Sequence, residues 1–318
     1  MTPPSNGPSL SVIICCYTQQ RWDDIVAGVA GVLGQLATGD ELLVVVDHEL
    51  DLLHRLRAHL AGSPVRVVEN ENAQGLSGAR NTGVASATGQ VVAFLDDDAL
   101  PPPGWVECLR QPFEDTAITG VAGGVSPAWE GGSEPRWFPE EFGWVVGCDY
   151  RGMPADGQPV RNPIGASMAL RRDVVHAAGG FSELVGRVGT LPVGCEETEL
   201  SIRLRATDPS TVIVRATRVP VLHRVPASRQ RWSYFYSRCY HEGRSKAVLS
   251  GLVGSEQALA SERTYATRTL PLGVLRHLAA LARGDLTGGL RAFAIVSGLL
   301  VTAGGYLAAS RKSAPTQG

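Results

Sequence analysis

Gln90–Pro103 reads QVVAFLDDDALPPP, and this stretch limits the possible fold more sharply than any other. Val91–Leu95 is a continuous apolar run of strand length, the pattern of a strand buried on both faces of a parallel sheet. The run stops at three adjacent carboxylates, Asp96, Asp97 and Asp98, and three prolines soon follow. Like charges at the edge of a core repel one another and persist only when solvated or held by a cation. Alternate side chains of an extended chain share a face, so Asp96 and Asp98 can serve one site while Asp97 faces another. Hard oxygen donors at the carboxyl end of a strand suit Mg²⁺ or Mn²⁺ carrying phosphates, and a solvated acidic turn is the plain alternative.

The strand pattern repeats upstream. Ser9–Cys16 (SLSVIICC), Glu41–Val46 (ELLVVV) and Val65–Glu69 read as further strands. Helical spacing occupies Trp22–Leu36, Leu50–Leu60 and Gly75–Ala87. Strands alternating with helices at this interval predict a doubly wound, mostly parallel α/β sheet. Ligands of such sheets bind beyond the carboxyl ends of the strands, where Tyr17, Asp47 and the acidic triplet all fall.

The turn Asn70–Val84 (NENAQGLSGARNTGV) adds a second chemistry. Gly75 and Gly78 permit close backbone approach, and Arg80 sets a guanidinium near a helix start, a combination that favours phosphate. The glycine spacing matches neither the dinucleotide fingerprint nor a P-loop. Arg80 could equally pair with a carboxylate of the sheet.

Further along, Trp105–Phe113 is expected as a helix, and Thr119–Ser126, Thr211–Ala216 and Val219–Val225 as strands. Glu130–Asp156 lacks either period and reads as a long loop. Its surroundings hold Trp129, Trp137, Phe138 and Trp144, which either stack on a sugar or lipid or pin the loop to the body. Trp232–Leu249 is helical and mixes aromatics with Arg238, Arg244 and Lys246. Leu270–Leu286 is amphipathic, and Ala292–Ala309 is uncharged, apolar and Gly-rich, ending at Arg311-Lys312. That last run is at the lower limit for crossing a bilayer and could also pack within the protein.

Charge excludes one class of partner. Lys and Arg number 29 against 31 Asp and Glu, so no bulk attraction to nucleic acid is expected. The six cysteines, 15, 16, 108, 148, 195 and 239, form no Cys-x-x-Cys pair, and no signal peptide is read at the N-terminus. A reducing, cytosolic setting follows as the expectation.

Taken in order, Cys16-Tyr17, VVVD, NAQGLSGARNTGVASATG, VVAFLDDDALPPPGW, NPIGASMALRRDVVHAAGGF and VGCEETELSIRL resemble the successive motifs of the family 2 glycosyltransferases. The likeness runs from about Ser9 to Arg224. It implies a GT-A fold over residues 9–226, with a nucleotide-sugar half (9–126) and an acceptor half (127–226). Residues 1–8 are expected as a flexible tail and 227–318 as a helical, membrane-associating extension, in which Trp232–Leu249 resembles a segment of relatives that act on polyprenyl- or dolichyl-linked acceptors. The resemblance further implies that Tyr17 and Asp47 flank the nucleobase and ribose of a sugar-nucleotide donor. Gly75, Arg80 and Asn81 would line its diphosphate, with Asp97 between ribose and diphosphate. Asp96 and Asp98, with His223, would hold Mg²⁺ or Mn²⁺, and which two of the three aspartates touch the ion stays open.

Glu197 stands where the family has its general base, with Glu196 as runner-up, and the expected outcome is inverting transfer of one sugar to a glycan or polyprenyl-linked hydroxyl. The expected location is the cytoplasmic face of the cell membrane. Read from the residues alone, Glu196, Glu197 and Glu199 could instead be first-turn carboxylates that offset a helix dipole. Three other functions compete. A sugar-nucleotide pyrophosphorylase needs a Gly-rich basic loop after the first strand, where CCYTQQRW has no glycine. A retaining transferase would keep the triplet without needing Glu197. A non-catalytic binding protein would tolerate loss of the triplet, which is intact.

Overall fold

The computed structural model describes residues 7–183, 195–253 and 263–312. The tail expected over 1–8 lies, up to residue 6, outside the described residues, as do Val193 and Gly194 of the VGCEETELSIRL segment. The described chain divides into two compact units. One comprises 7–126, 154–183 and 196–223, and the other 127–153, 195, 224–253 and 263–312.

The first unit begins with the expected alternation. Strands β1 (Leu10–Cys16), β2 (Glu41–Val46), β3 (Arg66–Glu69) and β4 (Val91–Asp96) alternate with helices α1 (Trp22–Leu33), α2 (Leu50–His59) and α3 (Leu76–Ser86). There follow β5 (Ala99–Leu100), α4 (Trp105–Arg110), β6 (Ile118–Trp129), β7 (Ser167–Arg171), α5 (Arg172–Ala177), α6 (Glu196–Thr207) and β8 (Val212–Val225). The sheet order is β3-β2-β1-β4-β7-β6-β8-β5. β1 pairs in parallel with β2 and β4, and β2 with β3.

Beyond β4 the sheet departs from the mostly parallel reading. β7 runs antiparallel to both β4 and β6, and β5 antiparallel to β8. Only a short 3₁₀ segment, Glu140–Val146, stands between β6 and β7, and a parallel return needs a crossover that a helix usually supplies. The two strands expected over 211–225 are one, because Pro220 removes a single ladder donor without ending it.

Register explains why the site lies where it does. Cys15 is level with Asp96, and Cys16 with Val46. The carboxyl ends of β1, β2 and β4 therefore finish together, with Tyr17, Asp47 and the triplet on one edge. Beneath that edge lies a core of Ile13, Leu43, Val45, Phe94, Met168, Val175 and Phe181. Leu200 and Leu204 of α6 join the same core, which fixes the glutamates at that helix's first turn. A buried ion pair closes the opposite end: Arg110 donates to Asp40 at 2.6 and 3.0 Å, and Asp40 also accepts from the backbone of Leu10 and Ala37.

The second unit is helical, with α7 (Trp232–Val253), α8 (Leu270–Ala282) and α9 (Thr287–Lys312). Its aromatic residues pack among themselves. Trp137 stacks on Trp232 at 4.0 Å, Trp129 and Phe138 meet edge to face, and Trp144 donates to the Tyr265 hydroxyl at 3.1 Å. These contacts pin the 130–150 loop within its own unit. None of the six cysteines is joined in a disulfide.

Candidate active site

A cleft of about 510 Å³ opens at the carboxyl edge of β1, β2 and β4, lined by Cys15, Cys16, Tyr17, Arg21, Asp47, Leu76, Ala79 and Asp96–Asp98. Tyr17, Asp47 and Asp97, three of the expected donor residues, are on that lining. Gly75, Arg80 and Asn81 are not.

Asp47 is buried and already engaged. It accepts from the Asn70 amide at 2.6 Å and the Gly75 backbone N–H at 2.9 Å, and it lies 2.9 Å from His48 Nδ1. Gly75 has φ +131°, in the region that disfavours side chains. Gly78 is needed for a different reason, because a Cβ there would sit 2.0 Å from the Ala73 carbonyl oxygen. Both glycines thus serve to turn the chain into α3 and against β2. Asn81 exchanges hydrogen bonds with the backbone of Phe181, accepting at 2.7 Å and donating at 2.9 Å, and so ties α3 to the loop after α5.

Arg80 is 2% exposed and lies near the rings of Phe94 and Phe181. It donates to Glu196 Oε1 at 3.0 Å and to the Gly165 carbonyl at 3.3 Å, and approaches Asp96 Oδ1 at 3.7 Å. Burial works against its charge, while Glu196 and Asp96 favour it and keep its pKa above the ordinary value. Glu196 is buried with Arg80, and its second oxygen has no hydrogen-bond partner. Glu197 is partly exposed, and Glu199 pairs with Arg203 on its own helix at 2.7 Å. The three glutamates of one helical turn therefore have three different environments.

Asp96 closes β4, and Asp97 and Asp98 stand in the turn after it, so the alternation of an extended chain does not reach them and all three line the one cleft. Asp98 lies 3.0 Å from His223 Nε2, and donor atoms of Asp96, Asp98 and His223 all fall within 4.8 Å of one another. β5 makes this possible: its pairing sets Ala99 opposite His223. Asp97 instead contacts Arg21, which also reaches Asp98 at 3.0 Å and lies 5.6 Å from the Tyr17 ring. Burial pushes the Asp97 carboxyl up to about 7, with Arg21 pulling the other way. One Asp97 oxygen is buried with no hydrogen-bond partner. Two carboxylates and an imidazole are a donor set that a divalent cation can use, and an orphaned carboxylate oxygen beside them is the kind of atom a bound cation or ligand satisfies. The residues fit such an ion.

Sequence reasoning missed Arg21 and the thiols of the cleft. Arg21 stands in the short 3₁₀ turn past the end of β1 and meets Asp97 and Asp98, and the need of adjacent carboxylates for a cation was the available signal. Burial pushes the Cys15 thiol up to about 12, so it lines the cleft as a neutral group.

Residues 11–179 match the model of "Glycosyl transferase family 2". The glucosyl-dolichyl phosphate glucuronosyltransferase of Haloferax volcanii is 33% identical over 242 residues, covering 76% of this chain and 77% of that protein. The UDP-Glc:alpha-D-GlcNAc-diphosphoundecaprenol beta-1,3-glucosyltransferase WfgD of Escherichia coli is 35% identical over 91 residues, 29% of this chain and 35% of its own length. Among solved structures, the mannosyltransferase PcManGT of Pyrobaculum calidifontis, in complex with GDP-Man and Mn²⁺, superposes with a TM-score of 0.60. It is 18% identical, and the match covers 96% of this chain and 89% of that one. The fold they share is GT-A.

Proposed function

The chain belongs to glycosyl transferase family 2, and from that membership we propose that it moves one sugar from a nucleoside-diphosphate donor to a hydroxyl of a lipid-linked acceptor, with inversion. That it is a glycosyltransferase follows from the family itself. The observation that carries the finer reading is the meeting of Asp96 and Asp98 with His223 at a cleft that Tyr17 and Asp47 also line. The acceptor class is supported by the two relatives named for dolichyl- and undecaprenol-linked sugars. One apolar helix, long enough by composition to enter a membrane, supports action at the membrane, and we assign the cytoplasmic face.

In this reading Tyr17 and Asp47 flank the base and ribose. Asp96, Asp98 and His223 would hold Mg²⁺ or Mn²⁺, which would supply charge to offset the negative charge that develops on the departing nucleoside diphosphate. Arg21 balances Asp97 and Asp98 and keeps both carboxylates within reach of the cleft. Glu197 takes the acceptor's proton, since it is the glutamate of the turn that is partly exposed. Glu196 holds Arg80 instead, and through it the neighbourhood of Asp96.

The test is a thermal-shift panel of sugar nucleotides with and without Mn²⁺. A ligand that binds the native state raises its melting temperature. A shift from at least one sugar nucleotide that grows with Mn²⁺ supports the proposal. A panel with no response, with or without metal, overturns it.

A further inference from the structure

We infer that the helical unit rests on an anionic lipid surface, with the outer face of the α8–α9 hairpin lying in the interface rather than crossing the bilayer. This rests on the membrane reading above and fixes its mode, which composition alone leaves undecided.

The two faces of α9 are opposite in character. At steps of seven, Gly288 and Ile295, and Gly298 and Gly305, return to one side of the helix. That side is packed: a Cβ at Gly288 would meet the His277 carbonyl at 2.3 Å, one at Gly298 the Phe142 ring at 2.7 Å, and one at Gly305 the Tyr240 carbonyl at 2.1 Å. Leu290, Phe293, Leu300 and Leu307 fall on the other side and are exposed, Phe293 to 59% and Leu300 to 67%. On α8, Leu272, Leu275 and Leu278 are exposed in the same manner, Leu275 to 63%. The packed side is mostly glycine with Ile295 among it, and the outer side carries bulky apolar residues where a helix facing water would carry polar ones.

Charge identifies the partner. From Thr264 to Lys312 there are six basic residues and one acid, Asp285. Arg276 is held by Glu141 at 2.7 Å, and Arg291 lies 3.8 Å from Asp285. Arg268, Arg283 and Arg311 are exposed, at the start of α8, in the turn after it and at the far end of α9. Basic groups bordering an apolar face match anionic headgroups around acyl chains.

Packing decides between lying and crossing. α9, of 26 residues, is long enough to span. Its small-residue side is seated on the backbone of α7, where a Cβ at Gly243 would be 2.0 Å from the Thr302 carbonyl. A crossing α9 would draw α7 in with it. α7 carries Arg238, Glu242 and Lys246, with Arg238 3.0 Å and Lys246 3.5 Å from Glu242, as well as Arg244 and His241. Such groups are costly at bilayer depth. In the interface, only the exposed face need leave water.

The full-length protein should sediment with vesicles containing phosphatidylglycerol, sediment far less with pure phosphatidylcholine, and leave native membranes in alkaline carbonate. The combined change Leu275→Asp, Phe293→Asp and Leu300→Asp should cut vesicle binding at least tenfold with an unchanged melting temperature. Arg268→Glu with Arg283→Glu, at two exposed positions, should weaken binding to anionic vesicles alone. Carbonate-resistant protein overturns the inference in favour of crossing. Absence of vesicle binding, with a dimer that the triple change dissociates, overturns it in favour of a second copy on this face. Sugar-nucleotide binding on the same preparations separates the two proposals, since either can fail while the other stands.

Discussion

Arg80 and Glu196 lie 116 positions apart and meet in a buried ion pair of 3.0 Å. The pair joins the phosphate-like turn at the start of α3 to the first turn of α6, the helix that carries Glu197. Removing one partner of such a pair strands a charge without solvent, which costs about 3–5 kcal/mol.

Arg80→Ala should therefore lower stability by about that amount, read as an earlier urea midpoint at unchanged slope. Glu196→Ala should do the same, and the double variant should fall well short of the sum. A Arg80→Ala protein of full stability whose donor affinity alone is lost would return Arg80 to the diphosphate.

Asp98 touches both His223 and Arg21. Asp98→Asn keeps the shape and removes the charge. The prediction is a lost Mn²⁺-dependent rise in melting temperature, with turnover down by about 10²-fold or more, the scale for losing one electrostatic stabiliser. Unchanged Mn²⁺ dependence would place the cation elsewhere.

Much of this arrangement is legible in the sequence, and what is not has a common cause. β1, β2 and β4 announce themselves as apolar runs because each is covered on both faces. Their shared end follows from order alone, and so does the grouping of Tyr17, Asp47 and the triplet. β5 does not, because two residues ahead of three prolines become a strand only by pairing with Leu222 and His223, more than a hundred positions later. The antiparallel half is hidden for the same reason. Arg80 shows its charge in the sequence but not its partner, and the three glutamates of α6 differ only in what tertiary contacts surround them.

Glu41 gives a test by pH. Its carboxylate accepts from Ser11 and Thr88 Oγ1, at 2.6 and 2.7 Å, and from Arg66 at 2.8 Å. Burial alone would raise its pKa, but these hydrogen bonds win and hold it down to about 2, against an ordinary 4.5. A depressed carboxylate stabilises the fold fully above its unfolded pKa, and that contribution fades as pH falls through the folded one. The gap in urea midpoint between wild type and Glu41→Gln should thus be widest above pH 4.5 and close towards pH 2. A gap that is constant across this range would show that the charge of Glu41 contributes nothing.

The central claim is that one carboxylate of α6, Glu197, takes the proton of the acceptor hydroxyl while the triplet holds the donor. It is tested most directly by single-turnover transfer to a polyprenyl-linked sugar, with donor affinity measured alongside, for Glu197→Gln and Glu196→Gln. Glu197→Gln should lose about 10²–10⁴ in rate with unchanged donor affinity, the usual share of a general base. The product of the wild type should carry the anomeric configuration opposite to the donor's. A full-rate Glu197→Gln, or a product of retained configuration, would contradict the account.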